Sequence, residues 1–339
     1  MQFRMPAEWT WHDAVWTAWP HDPDQWLEGL DAPRRVLMQM VGAIVDLDDA
    51  GAPRGERVEL LVRDSDDEAA ARALLGKAVA GVRFHHLPYG DIWLRDTGPI
   101  FVTRDGELSA ARFLFDGWGG KYLMDGDLEV SAHVMARAGV RGAAFDFVLE
   151  GGAVEVDGEG TILTTRQCLL GGARNPGLDQ AALDARLCWA LGGTRVIWLD
   201  RGLLNDHTDG HIDTLARFIA PGVVACMAPA ADDPNREALE GIIADLGAAK
   251  LDVLTVPSPG AVEDAAGNLM PASYMNFYLA NSTVVIPTYG VDADADAVAA
   301  IAAMFPTRRA VAVDGKPVVV GGGAFHCSTQ QQPSARSAP

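Results

Sequence analysis

The chain has 339 residues, of which 49% are hydrophobic and 22% are charged, and these proportions are typical of a globular protein with a sizeable core. Its formal net charge of -19 disfavours nucleic acid as a partner, because phosphate binding needs clustered lysine and arginine. The same charge suits a cationic ligand. The four cysteines are far apart and lack CxxC spacing, which disfavours a disulfide framework and a zinc knot.

The chain ends and the apolar runs bear on location. No basic segment followed by an apolar run opens the sequence, and no apolar run approaches the roughly 20 residues that a membrane span needs. We therefore expect a protein of the cytoplasm that has no membrane segment. No linker interrupts the chain, so we expect a single domain over residues 1–333 and a flexible tail over 334–339. The sequence leaves open whether the protein is a homo-oligomer.

Strand and helix patterns alternate along the chain after a tryptophan-rich segment that we expect to pack onto the body of the protein. The patterns predict, in order, helix 33–50, strand 57–62, helix 65–80 opened by a serine cap, strands 82–87 and 110–115, helix 127–138, strand 143–149, a hairpin around Asp157-Gly158, helix 178–191, strands 195–199, 212–219 and 223–227, helix 234–246, strands 251–256 and 281–287, helix 293–304 and strand 310–313. The helices recur roughly every 50 to 60 residues, which favours radial repetition of an α/β unit over an open doubly wound sheet.

The C-terminal stretch contains a candidate nucleophile. Three glycines at 321–323 directly follow the apolar run 318–320, which predicts a buried strand that ends where another group can approach closely. Cys327 would then lie at a strand end. The competing interpretation is that Cys327 is a small buried hydrophobic residue, because a nucleophilic cysteine also needs an acid/base partner from elsewhere in the chain.

Two further motifs place carboxylates beside turns. Segment 90–99 holds Trp93, Arg95 and two aspartates, and an ion pair of Arg95 with Asp91 is the structural interpretation of these charges. Asp96, which precedes Thr-Gly-Pro, is better placed to face a cleft. Glu150 ends an apolar strand and is followed by two glycines, so its carboxylate can face a ligand.

The densest run of titratable groups is segment 205–213. If a strand begins at residue 212, His211 and Asp213 share one of its faces and form a compact acid/base pair. A metal site is the alternative, because His207 and His211 have the i, i+4 spacing of a zincin helix. However, Thr208 stands where a zincin needs its glutamate, and Gly210 disfavours a helix.

Taken together, these side chains suit one kind of ligand. The N–H groups of a guanidinium form forked pairs that match carboxylates, so two opposed carboxylates can hold this planar cation flat. A thiolate placed over that plane can attack the central carbon. The combination of residues predicts an enzyme that modifies guanidines.

At these residues the chain resembles the agmatine deiminase family of the guanidine-modifying (pentein) superfamily, beside the bacterial-type peptidyl-arginine deiminases. The resemblance runs nearly end to end and is carried by segments 5–9, 16–20, 93–99, 149–152, 208–213 and 321–327. It implies a five-bladed pseudo-symmetric α/β propeller of ββαβ units, which agrees with the predicted rhythm. It also implies hydrolysis of agmatine to N-carbamoylputrescine and ammonia, a reaction that feeds putrescine synthesis, without a metal or an organic cofactor.

The resemblance also implies roles for individual residues. Cys327 would be the nucleophile, with its thiolate favoured by the bound cation and by protonated His211. Asp96 and Asp213 would hold the guanidinium nitrogens, and Trp93 would wall the aliphatic stem of the substrate.

His211 would serve as acid and base, and Glu150 would bond to His211 or to the guanidinium. His326 is adjacent to the nucleophile, but neighbours on a strand point in opposite directions, so we favour His211 as the base. Family members commonly carry Asn-Ile before the His-Cys pair, whereas this chain has Ala324 and Phe325, a change that touches the lining of the pocket.

Three alternatives remain open from the sequence. The same thiol mechanism could act on free arginine, a methylated arginine or a peptidyl arginine. A metal-dependent hydrolase could be built on His207 and His211. A module that binds cations without turnover would use the same carboxylates.

Overall fold

The structure is a computed structural model that describes residues 3–26 and 28–335. The tail predicted over 334–339 lies outside the described residues from 336 onward. Its first residue, Ser334, donates its backbone N–H to the carbonyl of Trp11 at 2.7 Å. Within the described residues, no helix is long and apolar enough to cross a bilayer.

Seventeen strands occur in the described part of the chain. In chain order they are β1 (Phe3–Arg4), β2 (His12–Ala18), β3 (Arg57–Val62), β4 (Val82–His86), β5 (Ile100–Arg104), β6 (Glu107–Leu114), β7 (Gly142–Val148), β8 (Glu155–Val156), β9 (Thr161–Thr165), β10 (Arg195–Leu199), β11 (Ala216–Ala220), β12 (Val223–Ala228), β13 (Asp252–Pro257), β14 (Tyr278–Leu279), β15 (Thr283–Thr288), β16 (Arg309–Asp314) and β17 (Gln330–Pro333).

The longer helices are α1 (Asp31–Val45), α2 (Ser65–Leu75), α3 (Asp127–Ala138), α4 (Gln180–Leu191), α5 (Arg236–Ala248) and α6 (Asp294–Met304). Short helical turns cover Leu94–Thr97, Gly117–Gly120, Arg166–Leu169 and Lys316–Val319. Single 3-10 segments span Gly76–Gly81, Gly151–Ala153, Ile212–Thr214 and Tyr274–Asn276.

One unit is repeated five times in the sheets. Two strands pair antiparallel, a helix follows, and the next strand pairs parallel with the second, since a helix provides the long crossover that parallel strands need. The first four units are β5-β6-α3-β7, β8-β9-α4-β10, β11-β12-α5-β13 and β14-β15-α6-β16. The fold is therefore the pseudo-symmetric α/β propeller of ββαβ units that the sequence predicted.

The fifth unit joins the two ends of the chain. C-terminal strand β17 pairs antiparallel with β2 near the N-terminus, and β2 pairs parallel with β3 after helix α1. Strand β4 extends this sheet to four strands. Because β17 pairs with β2, the fifth unit is completed by a strand from the other end of the chain, and β2 is not an open edge. The tryptophan-rich segment packs here as predicted, since Trp16, Trp19 and Trp26 are all buried.

The predicted strand over 212–219 is wrong in its first half. Residues Ile212–Thr214 form a 3-10 turn, and the strand begins only at Ala216. The hydroxyl of Thr214 donates to the carbonyl of His211 at 2.9 Å, and such a local bond favours a turn over an extended backbone. His211 and Asp213 therefore do not share a strand face.

Two smaller predictions also need correction. Residues 318–320 are not a buried strand, because the helical turn Lys316–Val319 begins with a proline, whose fixed φ suits the first turn of a helix. The cap of α2 is Asp64 rather than a serine. Asp64 has the extended backbone of an N-cap residue, and its side chain accepts hydrogen bonds from the backbone N–H groups of Asp66 and Asp67.

Candidate active site

Each of the five ββαβ units contributes a side chain from the segment just before the first strand of that unit. Asp96 precedes β5, Glu150 precedes β8, Asp213 precedes β11, Asn276 precedes β14 and Cys327 precedes β17, in every case within five residues of the strand. Pseudo-symmetry thus brings five distant segments to one place. The predicted residues Asp96, Glu150, His211, Asp213 and Cys327 all belong to this group.

Cys327 lies in a turn rather than at a strand end, and it is only 3% exposed. Its Sγ is 3.0 Å from Nδ2 of Asn276 and 3.4 Å from Oδ2 of Asp213. The Asn276 amide oxygen accepts the backbone N–H groups of Ala324 and Cys327, so this asparagine fixes the turn that carries the sulfur. Burial, and then the charges of Asp213 and Asp96, raise the pKa of the Cys327 thiol well above its ordinary value.

Asn276 was not predicted from the sequence. The only signal that could have found it is the repeat itself, because a polar residue occurs at the equivalent position before the first strand of the other sheets. The Asn276 side chain donates to sulfur and accepts from the backbone, which are the roles of a residue that orients a nucleophile.

The Asp96 carboxylate is held from two sides. Its Oδ2 accepts the indole N–H of Trp118 at 2.8 Å, and its Oδ1 accepts the backbone N–H of Gly152 at 3.0 Å. Burial, followed by the charges of Asp213 and Glu150, raises the pKa of Asp96 well above its ordinary value. A cation that enters beside these carboxylates would relieve their repulsion.

Trp118 was also missed from the sequence. It lies between glycines in the turn Gly117–Gly120 with a left-handed backbone, φ 56° and ψ 54°, which few non-glycine residues adopt. Such strain is expected where surrounding contacts fix an unusual conformation, and here the bond to Asp96 is one of them. The Gly-Trp-Gly-Gly sequence was the available signal.

His211 is completely buried, and within the described residues neither of its ring nitrogens has a hydrogen-bond partner. Its Nδ1 is 3.7 Å from Oδ2 of Asp96. A Cβ at Gly152 would lie 2.5 Å from that nitrogen and 3.0 Å from Asp96 Oδ1, so only glycine allows this approach. Burial lowers the pKa of His211 to about 3 despite the opposing effect of Asp213. Protonated His211 therefore does not favour the thiolate in the ligand-free protein, contrary to the sequence-based expectation.

Asp213 is the inner carboxylate of the site, and His326 holds it in place. Nδ1 of His326 is 2.7 Å from Asp213 Oδ2, while Nε2 is 2.8 Å from Glu8 Oε2. Glu8 Oε2 in turn accepts a hydrogen bond from Nη2 of Arg217 at 2.6 Å. Burial would raise the pKa of Asp213, but the hydrogen bond and charge of His326 lower it overall. The side chain of His326 is therefore committed to these carboxylates, although it lies in a turn and not on the strand that we expected.

Glu150 is paired differently from our prediction. Its Oε1 accepts Nε of Arg174 at 2.6 Å, and both side chains are completely buried. No hydrogen bond joins Glu150 to His211 in the described residues, although Glu150, Cys168 and His211 place ligand atoms within 4.8 Å of one another. Arg174 also donates to Asp209, so the pair connects the site to loop 205–210.

A cavity of about 270 Å³ leads to the sulfur. Its inner end includes Cys327 and Asp96, and its walls include Trp93 and Trp118. His211, Asp213 and Glu150 lie behind this surface and do not line the cavity. The glycine run is explained by Trp93, because a Cβ at Gly323 would lie 2.9 Å from its ring and 2.8 Å from Cβ of Cys327.

Arg95 does not pair with Asp91 as the structural interpretation held. It is buried and donates to the carbonyl of His326 and to the side chains of Gln330 and Gln331, which ties segment 94–97 to the turn that carries Cys327. Asp91 instead accepts the indole N–H of Trp26 at 3.3 Å.

The zincin interpretation of His207 and His211 is also wrong. Residues 205–210 form a loop in which Asn205, Asp209 and Gly210 have positive φ, so the i, i+4 spacing does not align the two rings. His207 is exposed at the cavity, while His211 is buried. Neither group of potential metal ligands found in the described ranges includes His207.

Comparison with known proteins agrees with this geometry. The family model of the Porphyromonas-type peptidyl-arginine deiminases matches residues 4–333. The agmatine deiminase of Pseudomonas aeruginosa (strain LESB58) is 34% identical over 367 residues, which cover 99% of this chain and 97% of that protein. A solved structure of the agmatine deiminase of Enterococcus faecalis has a TM-score of 0.89 and 32% identity, and the match covers 99% of this chain and 97% of that chain.

The fold extends beyond the near relatives. An amidinotransferase from Microseira wollei is 13% identical, covers 98% of both chains and has a TM-score of 0.53, so it shares the fold alone. The family resemblance noted from the motifs is confirmed. The chain belongs to the Porphyromonas-type peptidyl-arginine deiminase family, among whose members it is similar to agmatine deiminases over its full length.

Proposed function

We propose that this protein is a hydrolase that deiminates agmatine to N-carbamoylputrescine and ammonia through a covalent intermediate on Cys327. The observation that carries the proposal is the convergence of four groups: the buried thiol of Cys327 and the carboxylate of Asp96, which line the cavity, and the carboxylate of Asp213 and the unpartnered imidazole of His211, which lie directly behind them. The full-length similarity to agmatine deiminases supports this choice of substrate. The product would supply putrescine synthesis.

Binding comes first in the proposed reaction. Asp96 and Asp213 hold the guanidinium nitrogens and place its carbon near Sγ of Cys327. Because neighbouring carboxylates and burial disfavour the thiolate in the ligand-free protein, the arriving cation supplies the positive charge that lets the thiol lose its proton. His211, which is neutral when the site is free, accepts that proton.

The first chemical step forms a carbon–sulfur bond. The thiolate attacks the guanidinium carbon and gives a neutral tetrahedral adduct. His211 returns its proton to one terminal nitrogen, the carbon–nitrogen bond breaks, and ammonia leaves. A cationic amidino-thioether on Cys327 remains.

The second step releases the product. Neutral His211 takes a proton from water while the oxygen attacks the amidino carbon. The carbon–sulfur bond then breaks, and the electron pair returns to sulfur, which takes the proton from His211. The protonated urea group loses its proton to water. Glu150 lies buried beside His211, and its carboxylate, which Arg174 holds in place through Oε1, stabilises the imidazolium each time it forms.

Trp93 forms a wall of the cavity and would contact the aliphatic stem of the substrate. The small cationic guanidine is the partner that we propose for this site. A peptidyl arginine is the second candidate, because the family model is named for peptidyl-arginine deiminases.

Ammonia release from agmatine, arginine, dimethylarginine and a peptide with C-terminal arginine tests the proposal. We expect turnover of agmatine above the others, and loss of that turnover after treatment with iodoacetamide. Preferred turnover of the peptide would keep the thiol chemistry and overturn the substrate. Agmatine turnover that survives alkylation would overturn the mechanism.

A further inference from the structure

One buried carboxylate of the cavity has no part in the proposed chemistry. Asp91 is 4% exposed and lines the cavity, and within the described ranges no lysine, arginine or histidine forms an ion pair with it. Its hydrogen-bond donors are neutral, namely the indole N–H of Trp26 and the backbone N–H of Ile92. A buried carboxylate normally has a cationic partner, because removing it from water is costly.

The cavity is lined by carboxylates. Its acidic lining residues are Asp24, Asp91 and Asp96, and among the described residues that line it there is no lysine or arginine. A substrate that ends in a carboxylate would find no cation here. A substrate that ends in an ammonium group would find a carboxylate without a partner.

Asp91 and Asp96 line the same cavity, so a cation with two charged ends could contact both. Both residues belong to one segment and lie on either side of Trp93 in the chain. Trp93 stacks on Trp26 with ring centroids 6.1 Å apart, and Trp26 bonds to Asp91. The indole of Trp93 therefore lies in a wall that can cover an aliphatic chain held between the two carboxylates.

We propose that Asp91 binds the distal ammonium group of the substrate and thereby selects guanidines that carry a terminal amine and no α-carboxylate. This inference rests on the proposed function, since it assumes that the guanidinium end lies at Asp96 and Cys327. The electrostatic environment agrees with it. Burial, together with the charges of Asp127 and Asp22, raises the pKa of Asp91 to about 7, so the site gains when a cation arrives.

The experiment compares two substrates that differ only at the distal end. Agmatine carries a terminal ammonium, and n-pentylguanidine carries a methyl group in its place. Both kcat and KM are measured with the wild-type protein, with Asp91→Asn, and with Asp22→Asn as control. Asparagine at 91 keeps the acceptor for Trp26. Asp22 is close enough to affect Asp91 electrostatically but does not line the cavity, so its variant removes a nearby charge without removing a contact.

We expect Asp91→Asn to raise KM for agmatine about 10-fold to 100-fold, the range for loss of a charged hydrogen bond, with little change in kcat. The KM for n-pentylguanidine should not rise in that variant. The control Asp22→Asn should change the KM of both substrates less than about threefold, as expected for a half-buried charge that does not line the cavity.

Equal losses for both substrates would overturn the proposal, because they would make Asp91 a structural residue. An unchanged KM for agmatine would overturn it as well. Failure of the proposed function has a different outcome, namely that the wild-type protein turns over neither compound. In that case calorimetric binding of the two compounds still tests Asp91, since its loss must weaken agmatine alone.

Discussion

Nδ1 of His326 lies 2.7 Å from Oδ2 of Asp213, and the same oxygen faces Sγ of Cys327 at 3.4 Å. The residue next to the nucleophile in the chain therefore orients the carboxylate that faces the nucleophile. Glu8, from the opposite end of the chain, bonds to the other nitrogen of the same ring. The imidazole is a positioning group that connects the N-terminal segment to the site.

This relationship predicts different effects for two substitutions of similar size. The side-chain amide of His326→Asn can replace Nδ1 and keep the bond to Asp213, whereas that of His326→Gln can replace Nε2 and keep the bond to Glu8. We expect kcat for agmatine to fall about 10-fold to 100-fold in His326→Gln, because Asp213 loses a charge-assisted hydrogen bond, and to fall less in His326→Asn.

Thermal unfolding of both His326 variants provides the structural control. A merely structural role would make kcat follow the melting temperature in the two proteins. A higher kcat in His326→Gln than in His326→Asn would contradict the positioning role.

The environment of Cys327 predicts how its reactivity depends on pH. Burial, Asp213 and Asp96 raise the pKa of the thiol, so its thiolate fraction in the ligand-free protein should increase about tenfold per pH unit up to at least pH 9. We expect the rate of iodoacetamide modification at Cys327, followed by peptide mass spectrometry, to rise in that way. A plateau near neutral pH would mean that the free site already favours the thiolate, and it would refute activation by the bound cation.

Trp118 provides a test of how Asp96 is held. Trp118→Phe removes the indole N–H that donates to Asp96 Oδ2 while retaining an aromatic wall. A buried hydrogen bond to a carboxylate contributes about 1.5 to 3 kcal/mol, so we expect kcat/KM to fall about 10-fold or more. Trp189→Phe is the control, because Trp189 is 65% exposed and lies on helix α4. Equal activity in the two variants would show that the hydrogen bond from Trp118 to Asp96 does not contribute to catalysis.

The raised pKa of Asp91 predicts a pH-dependent change in stability. In the folded protein this carboxyl keeps its proton up to a higher pH than in the unfolded chain. Its contribution to stability is therefore complete below the unfolded pKa near 4 and is lost as pH rises through about 7. Asp91→Asn should therefore raise the free energy of unfolding above pH 7 by up to about 4 kcal/mol. The gain should shrink as pH falls toward about 4.

Chemical denaturation of the wild-type protein and Asp91→Asn at several pH values from acidic to mildly alkaline checks this sign. A difference that stays constant across the series would show that Asp91 is not a buried, unpaired carboxylate. Stabilisation of the ligand-free protein combined with weaker agmatine binding is the pattern expected of a residue that serves the ligand.

The repeated unit could be predicted from the sequence because local patterns specify it. Helix α3 begins and ends at the predicted residues, and so does strand β10, since periodicity and terminal glycines act within a few residues. The strand predicted to begin at Ile212 failed because the hydroxyl of Thr214 closes a turn that hydrophobic alternation does not reveal.

The site could be predicted in its members but not in its connections. Motifs identified Cys327, His211, Asp213 and Asp96, because each lies within four residues of a glycine run or in a cluster of charges. The bond from His326 to Glu8 joins residues 318 positions apart, and only the ring of sheets brings them together. Asn276 belongs to a segment without any charge or motif, so its contact with the sulfur depends on the fold alone.

Agmatine deimination by Cys327 is tested most directly by ammonia release from agmatine in the variant Cys327→Ala. Cys226→Ala is the matched control, because Cys226 is also buried but does not line the cavity. We expect Cys327→Ala to lose activity by at least about 10⁴-fold while it still binds agmatine, and Cys226→Ala to retain activity. Ammonia release by Cys327→Ala at the wild-type rate would show that Cys327 is not the nucleophile.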